Sequence, residues 1–77
     1  MKIVGIFDKR EEQVGFRLAG IETNIIKSKE ELTNKLNSIN NSKDIGILVI
    51  NNNIFNLMPD EFKKIEKRQL PLLLKID

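Results

Sequence analysis

Carboxylates, amides and serines are the side chains with the most obvious chemistry in this chain. Histidine and cysteine are both absent. That removes imidazole bases, thiolate nucleophiles and the usual ligands of zinc, haem and iron–sulfur sites. Ser28, Ser38 and Ser42 therefore have no histidine to activate them. Glu11-Glu12 and Glu30-Glu31 are adjacent carboxylates, but both pairs fall in the first turns of expected helices, where the helix dipole favours negative charge. Asp8 and Asn51 remain, each at the end of an apolar run. A phosphoacceptor domain has an acidic acceptor after its third strand and an acidic pair after its first, because Mg²⁺ needs several oxygens at one point. Here the acceptor position holds the amide of Asn51 and Asp8 stands alone, with helix capping as its expected role. A dinucleotide site would need the spacing G-x-G-x-x-G after the first strand, and that turn reads Asp8-Lys9-Arg10-Glu11. No catalytic residue, metal ligand or cofactor site is expected.

The elements that hold these residues follow from periodicity. Residues 2–7 are apolar and β-branched with little alternation, as in a strand covered on both faces. A helix is expected from Asp8 to about Ala19, with Val14, Leu18 and Ala19 as its apolar stripe and Gly20 as its stop. Residues 21–27 read as a second strand. Ser28 and Glu31 form a capping box, opening a helix with Leu32, Leu36 and Ile39 on its inner face. Residues 44–50 are apolar on both faces and read as a central strand. Asn51, Asn52 and Asn53 break the chain. A short helix follows, interrupted at Met58-Pro59, and a further turn carries Phe62 and Ile65 inward. Residues 70–76 form a last strand, with Pro71 at its start. This alternation specifies an α/β fold with a parallel sheet and right-handed crossovers. The expected architecture is a small three-layer, Rossmann-like or receiver-like domain spanning residues 1–77. Its four-stranded sheet has the order 2-1-3-4, with three helical segments distributed over both faces.

Composition narrows the function class. A chain of 77 residues makes one small domain, burying only roughly 60% of its unfolded surface. With no disulfide or metal to brace it, such a domain is often completed by a partner. Thirteen basic and eleven acidic residues leave a net charge of +2, and the two signs interleave as on solvated helix faces. The same-sign stripe with stacking aromatics that nucleic acid demands is missing. No apolar run nears the roughly 20 residues that span a bilayer, and the N-terminus has no signal-peptide pattern. A cytoplasmic protein is expected, without nucleic acid and without direct membrane insertion.

Three segments give the chain a resemblance. Lys2-Ile3-Val4-Gly5-Ile6-Phe7-Asp8, Val14-Gly15-Phe16-Arg17-Leu18-Ala19-Gly20-Ile21 and Asp44-Ile45-Gly46-Ile47-Leu48-Val49-Ile50 resemble the F subunit of V-type and archaeal A-type rotary ATPases. The second segment is the specific one. The resemblance implies a non-catalytic central-stalk subunit in the V1/A1 sector, peripheral to the membrane. Its partner would be the coiled-coil D subunit, and through it the ring of catalytic and regulatory subunits, coupling ATP synthesis or hydrolysis to proton or sodium transport. Members of that family typically continue past the fourth strand into a mobile segment and a terminal helix, which this sequence, ending at Asp77, does not include. The expected partner-binding residues are Phe16, Arg17 and Gly20, with Asn52, Asn53 and Phe55 as a second group. Phe16 is placed outward because it lies roughly 200° around the helix from both Val14 and Leu18. The alternative reading is a degenerate receiver-like interaction domain that works without phosphorylation.

Overall fold

A computed structural model describes residues 1–76; Asp77, expected at the carboxyl edge of the sheet, lies outside the described residues. The strands are β1 (Lys2–Phe7), β2 (Glu22–Ile25), β3 (Ile45–Ile50) and β4 (Leu72–Lys75). The helices are α1 (Arg10–Leu18), α2 (Lys29–Asn40), α3 (Asn52–Leu57) and α4 (Pro59–Glu66). The strands form one four-stranded sheet in the order β2-β1-β3-β4, with every pairing parallel. Fold class and strand order are those expected. The third helical connection is two helices, split at Met58, with Pro59 opening the second.

A right-handed crossover from β1 out to β2 puts α1 on one face of the sheet. The two crossovers running the other way put α2, α3 and α4 on the opposite face. That second face holds the main core. Val4, Ile6, Leu48 and Ile50 from the sheet pack with Leu32, Leu36 and Ile39 of α2, Ile54 of α3, and Phe62 and Ile65 of α4. These α2 and α4 residues are the ones their spacing selects. Ser28 caps α2, its hydroxyl accepting the Glu31 N–H at 3.2 Å, and Pro59 fills the first position of α4, where a missing donor is harmless.

The α1 face is built differently, and three expectations fail there. Leu18, expected in the core, is 82% exposed; Ala19 is exposed too, and α1 has no fully buried residue. Phe16, expected to face outward, stacks on Phe7 with ring centroids 5.0 Å apart and planes 17° from parallel. Asp8 does not cap α1. The cap residue is Lys9, which makes no side-chain capping bond.

The cause lies in the strand beneath. Phe7 and Gly5 share the α1 side of β1, and a Cβ on Gly5 would stand 2.6 Å from Cε2 of Phe7. The missing side chain lets the Phe7 ring lie down over the strand as a flat platform, and Phe16 docks on it. Glu12 is one turn before Phe16, so the two share the inward side of the helix. The helix ends as its glycine suggests. Gly20 has φ +87°, its N–H bonds to the Arg17 carbonyl and the Ile21 N–H to that of Phe16, a Schellman stop.

Gly5→Ala is therefore expected to destabilise the domain by about 1–3 kcal/mol, as overpacking of a tight site does. Urea unfolding of the variant against wild type measures this; an unchanged midpoint would show that the Phe7 platform does not depend on Gly5.

Candidate functional site

Open parallel sheets present their ligand sites beyond the carboxyl ends of the strands. Here that end is organised by one side chain. Asn51 follows β3 and is 1% exposed, the one polar residue among the fully buried side chains of the described chain. Its Nδ2 donates to Oδ1 of Asp8 at 2.6 Å and to Oε1 of Glu12 at 2.7 Å. Its Oδ1 accepts the Ile54 N–H at 2.8 Å, capping α3. Asn53 adds a bond from its Nδ2 to Oδ2 of Asp8 at 3.0 Å. One buried amide thus ties β1, α1, β3 and α3 together with both donors and its acceptor engaged.

A shallow groove lined by Asp8, Ile26, Lys27, Asn53 and Leu57 opens at this end of the sheet, while the position directly after β3 is taken by the buried Asn51 amide. The two carboxylates nearest it, Asp8 and Glu12, point at the Asn51 amide, whose N–H groups occupy the space between them. Burial alone would push the Asp8 carboxyl up. The bonds from Asn51 and Asn53, its own backbone N–H and the charge of Lys9 outweigh that and hold it below its ordinary value. Asp8 is therefore a structural acceptor, and its bond to the amide is charge-assisted. Among the described residues no group of three or more His, Cys, Asp or Glu side chains could hold a metal ion.

The expected partner-binding residues divide between the two ends of the sheet. Arg17 is exposed and Gly20 forms the turn after α1. A shallow groove there joins Gly20 to Met1, Lys2, Ile3 and Glu22, at the amino end of the strands. Phe16 is on the same helix but turned inward. Asn52, Asn53 and Phe55 belong to α3 at the carboxyl end, about 17 Å away by the length of β1. Asn53 is engaged with Asp8. Phe55 is half-buried, stacked on Phe62 and covered by the Lys75 ammonium at 4.4 Å. The set is thus not one continuous patch. Glu12 is missed by sequence reasoning because a search for an apolar stripe ignores a carboxylate on the inward face. Its spacing of four from Phe16 and the amide at Asn51 are the available signals.

The profile of the family described as ATP synthase (F/14-kDa) subunit matches residues 3–77. The chain belongs to that family. Over 65 residues it is 34% identical to the A-type ATP synthase F subunit of Methanocaldococcus jannaschii, covering 83% of this chain and 66% of the relative. Over 57 residues it is 35% identical to the A-type ATP synthase F subunit of Methanothrix thermoacetophila, covering 73% of this chain and 58% of the relative. The matched part is thus at most about two thirds of the length of these relatives. The crystal structure of the V-type ATP synthase F subunit of Archaeoglobus fulgidus superposes with a TM-score of 0.81. It covers 99% of this chain and 96% of that one, at 19% identity. That likeness shows the shared fold. Family membership favours the rotary ATPase reading over the degenerate-receiver alternative.

The depressed Asp8 pKa has a sign. A carboxylate whose folded pKa is lowered contributes stability that is fully present above its unfolded value of about 3.9 and is lost as pH falls through the lower folded value. Wild type should therefore exceed Asp8→Asn in unfolding free energy above about pH 4, and the gap should shrink as the pH is lowered further. Denaturant titrations of both proteins between neutral and strongly acid pH measure it, and a pH-independent gap would contradict the assignment.

Proposed function

We propose that this chain is a non-catalytic central-stalk subunit of an A/V-type rotary ATPase, in the cytoplasmic sector of the complex. It holds the coiled-coil D subunit, helping to couple ATP synthesis or hydrolysis to proton or sodium transport. One observation supports the non-catalytic part above all others: the buried Asn51 amide fills the carboxyl-end corner and uses up both nearby carboxylates. With Asp8 held as an acceptor and an amide in place of an acid after β3, this end of the domain is suited to binding and not to turnover. Among the described residues no helix is long and apolar enough to cross a membrane, which fits attachment through a partner.

Arg17 and Leu18 are the contact residues that the geometry favours at the α1 end. Both are exposed, and Leu18 is a large apolar side chain at the surface with nothing in the domain's core to serve. Phe16 contributes indirectly, by fixing α1 on Phe7. Asn52 and Asn53 are the candidates at the carboxyl end, on a helix whose start the Asn51 cap holds in place.

Co-expression with the coiled-coil D subunit of the same source should give a complex that co-elutes on gel filtration at micromolar concentration; separate elution would overturn the reading. Arg17→Glu with Leu18→Ser should weaken the complex about tenfold or more, as loss of an Arg-containing contact does, without moving the unfolding midpoint by more than a surface change would. Phe16→Ala should instead lower stability by about 1–3 kcal/mol through loss of its stack on Phe7. Calorimetric titration and thermal melts of the three proteins separate the two kinds of effect.

A further inference from the structure

The chain has two methionines and no cysteine, so its sulfur redox chemistry belongs to Met1 and Met58. Met1 is 92% exposed and stands outside the core. Met58 is placed differently. It closes α3 and opens α4. Its N–H bonds to the Phe55 carbonyl at 3.3 Å, and its own carbonyl accepts the Phe62 N–H at 3.2 Å. The side chain is half-buried and packs against the main core at the joint between the two helices. It also lines an open groove of about 210 Å³, together with Lys29, Pro59 and Asp60. One thioether thus serves the core while its residue meets solvent.

The sulfur has a polar neighbour on a third helix. The Thr33 hydroxyl of α2 stands 3.5 Å from Sδ and 3.0 Å from the Lys29 carbonyl. It has one proton to donate, and a thioether is a weak acceptor, so the carbonyl holds that proton.

We propose that Met58 is a site of reversible oxidation, at which a hydroperoxide loosens the joint between α3 and α4. With hydrogen peroxide, the sulfur gives an electron pair to one oxygen. The S–O bond forms as the O–O bond breaks, and the transferred oxygen's proton passes to the departing hydroxide, which leaves as water. Sulfur is oxidised by two electrons and the peroxide is reduced by two. The product is a methionine sulfoxide, polar where the thioether was apolar. Its oxygen has no place in the core without a partner, so the side chain is drawn toward the groove and the packing at the joint is lost. The sulfoxide oxygen is also a strong acceptor. It competes with the Lys29 carbonyl for the Thr33 proton, which carries the change into the first turns of α2. A methionine sulfoxide reductase returns the thioether.

Brief treatment of the whole chain with dilute hydrogen peroxide tests this, with peptide mass spectrometry, amide NMR and thermal melts as readouts. Met58 should gain one oxygen while the protein is folded, more slowly than Met1, which serves as an internal control. The melting midpoint should fall by about 5 °C or more, the order a domain of this size shows for one weakened packing site. Amide shifts should move in α3, in α4 and between Lys29 and Thr33, and the reductase should reverse both changes. Met58→Leu nearly conserves volume; its midpoint should be unmoved by peroxide although Met1 is oxidised as before. Met58 left unoxidised until the protein unfolds would overturn the site. Oxidation at Met58 with midpoint and spectrum unchanged would overturn the loosened joint, as would a fall in midpoint that persists in Met58→Leu.

Discussion

The carboxyl end of this sheet depends on a single buried amide. Asn51 has two N–H donors and one strong acceptor, and all three are spent: on Asp8, on Glu12 and on the backbone of Ile54. A buried polar group without partners would cost about 1–3 kcal/mol, so each of these elements is held in place by the need to satisfy Asn51. The amide fixes where α3 begins, and through Glu12 it sets the rotation of α1. That rotation brings Phe16 over Phe7 and sends Leu18 out to solvent. A carboxylate at position 51 would set like charge against Asp8 and Glu12. The amide offers them donors, and so turns a corner that could repel itself into a clasp.

Much of the fold is legible in the sequence because the main core obeys simple periodicity. Leu32, Leu36 and Ile39 recur at helical spacing behind a capping serine, and all three are buried. Residues 44–50 read as central, and β3 does lie between β1 and β4. The α1 side is not legible in the same way. An apolar-stripe argument selects Val14 and Leu18, because it assumes that a helix buries aliphatic residues against a pleated surface. Here the surface is one phenylalanine ring lying over a glycine, and the inward face of the helix is Glu12 and Phe16. Neither the ring platform at Gly5 and Phe7 nor a charged residue used inward can be seen by counting apolar positions. Asp8 reads as a cap for a similar reason. Local preference favours an N-terminal aspartate for capping, but a partner 43 residues away, the Asn51 amide, engages it instead.

The candidate site shows the same division. Spacing alone locates the carboxyl-end residues and shows that Asn51 replaces an acid. It does not show that the amide is enclosed, or that Arg17 and Gly20 stand at the opposite end of the strands from Asn52 and Asn53. Exposure supplies what spacing cannot. Among the exposed large apolar side chains are Leu18, on α1, and Leu72 and Leu74, on the side of the sheet that α1 covers in part. Isolated apolar residues on a surface are ordinary. The domain thus has an end whose two inward acids are held by one amide and a face on which apolar side chains stay exposed.

The most direct test of this account is a double-mutant cycle between Asp8 and Asn51. Unfolding free energies of wild type, Asp8→Ala, Asn51→Ala and the double variant give the coupling energy between the two side chains. The clasp predicts a favourable coupling of about 1–3 kcal/mol at neutral pH. Additive losses, with coupling near zero, would mean that the amide and the carboxylate are neighbours without being a unit.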